Sequence, residues 1–159
     1  MPDNLLFVFA DQMRGQDMGC AGNPQVRTPE LDALAAEGVR FTNAVSTCPV
    51  CTPYRASLLT GRYPLSLGMT TNDVRLSVHE TSIAHVMRDA GYRTAYLGKW
   101  HLDGPYRGGF TPPGPRRQGF DYWAAADCTH DYLHSFYYRE APEPIWIEGY
   151  DADHFTDLA

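Results

Sequence analysis

Cys51, Arg55, Lys99 and His101 are the residues whose types and spacing could do chemistry on an anion. Cys51 opens the run Cys51-Thr52-Pro53-Tyr54-Arg55-Ala56-Ser57-Leu58-Leu59-Thr60-Gly61-Arg62. Thr52 and Pro53 suit a helix start, because Pro lacks an N–H that would be orphaned there. Ala56, Leu58 and Leu59 continue the helix, and Gly61 can end it. Cys51 then stands at the helix N-terminus, where free N–H groups and the dipole favour an anion. Arg55, one turn on, brings a fixed positive charge toward the same mouth. Lys99 and His101 are two apart, on one side of an extended segment. Lys99 is the only lysine in a chain with 12 arginines. Its compact ammonium suits a tetrahedral anion as a point charge. The plainer reading of Lys99 is a solvated side chain at a strand end.

These residues need elements to position them. Asn4–Ala10 is continuously apolar and reads as a buried parallel-sheet strand. It delivers Asp11 and Gln12 at its C-terminal end, where open α/β sheets place their sites. An Asx turn ending a strand is the alternative there. Thr28 caps a helix with Pro29 at its first position, Leu31, Leu34 and Ala35 as its apolar stripe and Gly38 as its stop. Val39–Val45 alternates and reads as a strand. Thr81 caps a further helix over Ser82–Ala90, with Ile83, Val86 and Met87 as the buried face. Arg93–Leu97 is another strand, and it leads to Lys99. Residues 104–119 hold five Gly and four Pro, which makes a long loop of the kind that is functional or mobile. Arg107, Arg116 and Arg117 on it either meet an anionic or sugar substrate or are solvated.

A chain of 159 residues with 43% hydrophobic content forms one domain with a sizeable core. The net charge of −6 argues against nucleic acid as a partner. That charge is uneven. Residues 1–119 hold 12 Arg or Lys and 10 Asp or Glu, a balance of +2, while residues 120–159 hold 1 and 9, a balance of −8. The motif-bearing part therefore suits an anionic substrate, unless the acidic end is simply a solvated tail. No run is long enough to span a membrane, and no secretory signal is visible, so a cytoplasmic location is expected. The four cysteines then read as thiols. Two rival site readings remain. Cys48-Pro49-Val50-Cys51 has the spacing of a redox pair at a helix start. Cys128, His130 and His134 bring three zinc-type ligands, where a closed zinc site uses four. A substrate-side role for His130 is a further option.

The twelve residues from Cys51 resemble the hallmark of the sulfatase family, Cys-x-Pro-x-Arg and its continuation. Gly91-Tyr92-Arg93-Thr94-Ala95-Tyr96-Leu97-Gly98-Lys99-Trp100-His101-Leu102 resembles the family's second signature, and Gly119-Phe120-Asp121 a third element. The resemblance spans about Asn4 to Asp121. It implies an alkaline-phosphatase-like α/β sandwich, a mostly parallel sheet flanked by helices, with residues 1–159 forming the N-terminal portion of a sulfatase catalytic domain. It implies that Cys51 is converted to Cα-formylglycine by a formylglycine-generating enzyme, and that Lys99 and His101 hold the sulfate and the formylglycine hydroxyls. Asp11, Gln12 and position 51 would bind a divalent metal, usually calcium. Many members have Asp-Asp where this chain has Asp11-Gln12, which lowers the ligand charge, although calcium accepts an amide oxygen. Asn72 lies near a spacing that some members place in the substrate pocket. A turn residue at a loop tip is the alternative.

The activity so implied is sulfuric ester hydrolysis, arylsulfatase-like, on a sulfate-ester small molecule or a sulfated sugar. Phosphonate or phosphate ester hydrolysis on the same fold is the alternative. The family's second metal-binding stretch and its leaving-group acid are not identifiable in these 159 residues. The chain therefore reads as truncated at its C-terminus, and on its own as an inactive fragment.

Overall fold

The computed structural model describes residues 3–159. They divide into two compact units, one ending at Val45 and one from Ser46 to Ala159.

The first unit contains a 3-10 turn, Gly19–Ala21, and helix α1, Pro29–Glu37. Pro29 is at the first helical position, as expected, but Thr28 does not cap with its side chain. The Thr28 hydroxyl instead donates to Asp32 and accepts from the Gly19 amide at 2.8 Å. Asp32 also accepts from the Cys20 amide at 2.7 Å, so the helix start is tied to the loop before it. Two expected strands are not formed: neither Asn4–Ala10 nor Val39–Val45 has a ladder partner among the described residues. Strand structure depends on a neighbour, and this unit supplies none. Leu5, Leu6, Phe7 and Val8 are accordingly exposed. Leu31 and Leu34, the expected buried stripe of α1, are exposed as well.

The second unit is built on two parallel strands, β1 (Ala95–Lys99) and β2 (Tyr122–Ala126), paired Ala95 to Tyr122 through Lys99 to Ala126. Side chains alternate across a strand, and each face has its own core. Tyr96, Trp123 and Ala125 pack on one face with Ala56 and Leu59 of α2, Cys51–Thr60. Trp100, just past β1, is fully buried in that cluster. Its ring stands edge-on to Tyr96 and Trp123, with centroids 4.8 and 5.0 Å away, an arrangement aromatic quadrupoles favour. On the other face Ala124 packs with Tyr137, Ile147 and Leu97, and against Phe155 and Leu158 of α4, Asp151–Leu158. Helices thus cover both faces of a parallel pair, the α/β arrangement expected. A short antiparallel pair, β3 (Phe136–Tyr137) and β4 (Ile145–Trp146), follows.

Helix α3, Ile83–Asp89, is capped by Ser82 and not by Thr81. The Ser82 hydroxyl accepts from the Ala84 and His85 amides, and the His85 ring accepts from the Ser82 amide at 3.1 Å. This is a capping box with histidine in the usual Glu or Gln place. Because the same hydroxyl donates to the Gln118 carbonyl, the helix is fixed with Ser82 and Ala84 inward. Ile83 and Val86, expected to be buried, face outward. No helix among the described residues is long and apolar enough to cross a membrane.

Candidate active site

Position 51 is the first residue of α2, and the helix ends at Gly61, whose φ of 68° is the left-handed conformation glycine adopts without cost. The amides at this N-terminus are less available than the sequence suggests. The Thr52 N–H donates to Asn72 Oδ1 at 2.9 Å, Pro53 has none, and the Tyr54 N–H donates to the Val50 carbonyl at 2.9 Å. Asn72 therefore acts as the helix cap from a loop 20 residues away. The positive charge beside Cys51 comes from Lys99, whose Nζ donates to Cys51 Sγ at 3.6 Å.

Lys99 is the last residue of β1, and three groups hold that strand end. The Trp100 N–H continues the ladder to the Ala126 carbonyl at 2.8 Å. The Tyr96 hydroxyl donates to the Lys99 carbonyl at 2.6 Å. The Arg55 guanidinium, only 5% exposed, donates to the same carbonyl and to the Tyr96 hydroxyl. Arg55 thus ties α2 to the strand that carries Lys99. This is a reason for arginine there, since one planar cation serves two acceptors.

His101 lies two residues on, with φ of 55°, a conformation few residues other than glycine adopt. The backbone turns out of the extended register here, and the Thr52 hydroxyl donates to the His101 carbonyl at 2.9 Å. Its ring is 1% exposed. Nε2 meets Asp73 Oδ1 at 2.8 Å, while Nδ1 is buried and has no hydrogen-bond partner. Arg107 clasps the Asp73 carboxylate through two bonds, at 2.8 and 2.9 Å. The Arg107 guanidinium, and after it His101, hold the Asp73 carboxyl well down, to about 2. Burial pushes the His101 imidazole below its ordinary value, outweighing the opposing pull of Asp73.

The end of β2 completes the surroundings. His130 Nε2 stands 3.5 Å from Lys99 Nζ and 3.8 Å from Cys128 Sγ. Burial pushes the Cys128 thiol up. Asp127 accepts from the Asp103 amide at 3.0 Å, and Asp103 is paired with Arg75 and Arg116. Arg116 and Arg117 therefore have structural partners, Arg117 lying buried against Trp123, Thr111 and Glu140.

The structure therefore gathers Cys51, Arg55, Asn72, Lys99 and His101 around the start of α2. Asp11 and Gln12 belong to the first unit, where both are exposed. Cys48 and Cys51 are not bridged by a disulfide. Cys128, His130 and His134 do not form a metal cluster, since no such group of three occurs among the described residues. Asp73 and Tyr96 are site residues that sequence reasoning missed. Asp73 carried one weak signal, its place beside Asn72. Tyr96 carried none beyond its place in the strand.

The chain matches the sulfatase family over residues 3–159. It belongs to the sulfatase family. The ulvan-active sulfatase of Formosa agariphila is 56% identical over 141 residues, covering 88% of this chain and 27% of that protein. A solved Bacteroides thetaiotaomicron structure from work on glycosaminoglycan metabolism superposes with a TM-score of 0.85 at 28% identity, covering 93% of this chain and 37% of that one. A solved structure holding its substrate D-glucosamine-2-N,6-O-disulfate gives a TM-score of 0.75 at 32% identity, covering 90% and 27%. The chain thus spans about a quarter of the length of the curated relatives it matches. Sulfatases in general use a divalent metal and a formylglycine. Asp11 and Gln12 fit a hard cation such as calcium, because both offer oxygen donors. The sulfur of Cys51 does not fit it, whereas an oxygen at that position would.

Proposed function

We propose that the full-length protein hydrolyses sulfuric esters of sugars, with Cys51 converted to formylglycine and calcium held in part by Asp11 and Gln12. The observation that carries this reading is the placement of Lys99 Nζ 3.6 Å from Cys51 Sγ at the start of α2. An ammonium beside a helix mouth offsets charge on a tetrahedral dianion or monoanion. When formed, the formylglycine supplies a hydrated aldehyde as oxygen nucleophile, and the metal supplies positive charge for the sulfuryl oxygens. Lys99 orients the sulfate and stabilises charge that grows on it. Arg55 keeps that lysine in place through the Lys99 carbonyl. His101, neutral because it is buried, presents a lone pair for proton transfer. A sugar substrate is supported by the ulvan-active relative and by the structure that holds a disulfated glucosamine.

The test is expression of the full-length protein with a formylglycine-generating enzyme. The peptide containing position 51 should be about 18 Da lighter than its thiol form, or of unchanged mass when hydrated, with Cys48 as its one alkylatable thiol and none at position 51. Sulfate should be released from sugar sulfates. A fully alkylatable Cys51 in an active enzyme would overturn the modification. Turnover of aryl phosphonates without release of sulfate from any ester would overturn the substrate class.

A further inference from the structure

His101 is held by more groups than proton transfer alone requires. The ring is buried, one nitrogen meets a carboxylate, and the other has no partner. An ionised carboxylate can only accept a hydrogen bond. Asp73 is ionised across the working range, since Arg107 and His101 hold its carboxyl down. The proton between Asp73 Oδ1 and His101 therefore sits on Nε2. A neutral imidazole with Nε2–H has its lone pair on Nδ1. An N–H at Nδ1 would leave a buried donor unpaired.

Asp73 is itself placed with care. Its amide donates to the Thr52 hydroxyl at 3.3 Å, and that hydroxyl donates to the His101 carbonyl. The carboxylate is thus tied at its backbone to the residue after position 51, and at its side chain to His101. Arg107 closes the arrangement with two parallel bonds, the geometry in which a guanidinium gives direction as well as charge. The Arg107 carbonyl accepts from the Cys128 amide at 2.6 Å, which holds the glycine- and proline-rich loop against the end of β2. A solvated arginine would need none of this.

We propose that Asp73 and Arg107 are positioning residues: Arg107 clamps the Asp73 carboxylate against Nε2 of His101, which sets the imidazole tautomer and leaves the ring's lone pair on Nδ1. Only the kinetic readout of the proposal rests on the sulfatase reading. The charged groups that face His101 are Asp73, Lys99 and Arg107. Asp73 alone is an anion, so only its loss removes the hydrogen-bonded acceptor.

The experiment uses the full-length matured protein and the variants Asp73→Ala, Asp73→Asn, Arg107→Ala, Arg107→Lys and the double alanine. Two readouts are taken. The first is kcat and KM on an aryl sulfate. Asp73→Ala should lower kcat by at least about 10²-fold, as loss of an orienting carboxylate does elsewhere, with KM changed by no more than about threefold. Arg107→Ala should lower kcat less and add nothing to Asp73→Ala, because it acts through that residue. Arg107→Lys should recover part of the loss by keeping the charge. The second readout is deuterium exchange at the C2 carbon of each histidine, followed by mass spectrometry, which reports ring protonation without activity. The midpoint for His101 should move to lower pH in Asp73→Ala and in Asp73→Asn. An unmoved midpoint would overturn the proposal, as would an Arg107→Ala loss that adds in full to that of Asp73→Ala. A wild-type protein without sulfate-ester turnover would defeat the sulfatase reading, and the exchange midpoints would still decide the link from Asp73 to His101.

Discussion

Replacing Asp127 by Asn should make the protein more stable near neutral pH and leave it unchanged in acid. Asp127 is buried, 2% exposed, and only one of its oxygens is satisfied, by the Asp103 amide at 3.0 Å. Oδ2 has no hydrogen-bond partner. Burial, with the Asp103 charge adding to it, pushes the carboxyl up from its ordinary 3.8 to about 6. The folded state therefore keeps a proton that the unfolded state has already lost. Stability falls as pH rises from about 4 to about 6, and is level above that. A rise from 3.8 to about 6 corresponds to about 3 kcal/mol. Asn keeps an oxygen for the Asp103 amide and carries no charge, so it escapes most of that cost. At pH 7.5 the variant should gain about 2–3 kcal/mol, its unpaired amide N–H₂ standing where the protonated acid has an unpaired O–H. At pH 4 the two proteins should agree within about 0.5 kcal/mol. Urea unfolding of the full-length protein at both pH values, followed by tryptophan fluorescence from the Trp100 and Trp123 cluster, reads the difference. Equal destabilisation at both pH values would refute the reasoning, since it would mean that the carboxylate is compensated by a partner other than Asp103.

Other substitutions separate chemistry from packing. Lys99→Ala should lower turnover on an aryl sulfate by roughly 10²–10³-fold while leaving the melting temperature nearly unchanged, because its ammonium lies beside position 51 and not in the core. Trp100→Ala should cost about 3–5 kcal/mol in denaturant unfolding, since it empties the centre of the aromatic cluster. Asn72→Ala should cost about 1 kcal/mol, the usual effect of losing a helix cap, measured by the same unfolding curves. Acidification below pH 4 should weaken the Asp73–Arg107–His101 set: a carboxyl held down to about 2 contributes stability above 3.8 that is lost as pH falls toward 2. A circular-dichroism titration of Asp73→Asn against wild type should show that acid-dependent loss in wild type only.

Local sequence was enough to determine the pieces that depend on near neighbours. The helix from Cys51 to Thr60 follows from Pro53 near its start and Gly61 at its end, and both act within a turn of the residues they govern. Lys99 stands at a strand end because apolar alternation stops there. The family motifs point to Cys51, Arg55, Lys99 and His101, and the structure brings these four together around the start of α2. The strand expected at Asn4–Ala10 and the buried face expected for α3 failed for one shared reason. A strand exists through its neighbours, and a short helix turns whichever face its partners require, here the Ser82 hydroxyl held by Gln118. Only the tertiary structure decided the rest of the site. Asp73 and His101 are 28 residues apart, and Asp73 and Arg107 34 apart, and no periodicity links residues on separate loops. Asn72 caps a helix from 20 residues away, and Arg55 turns its guanidinium to a carbonyl 44 residues on. Hydrogen bonds of this kind depend on distance in space, which chain order does not encode residue by residue. The chain order specifies which side chains are available, and the packing of β1, β2 and α2 decides which of them meet.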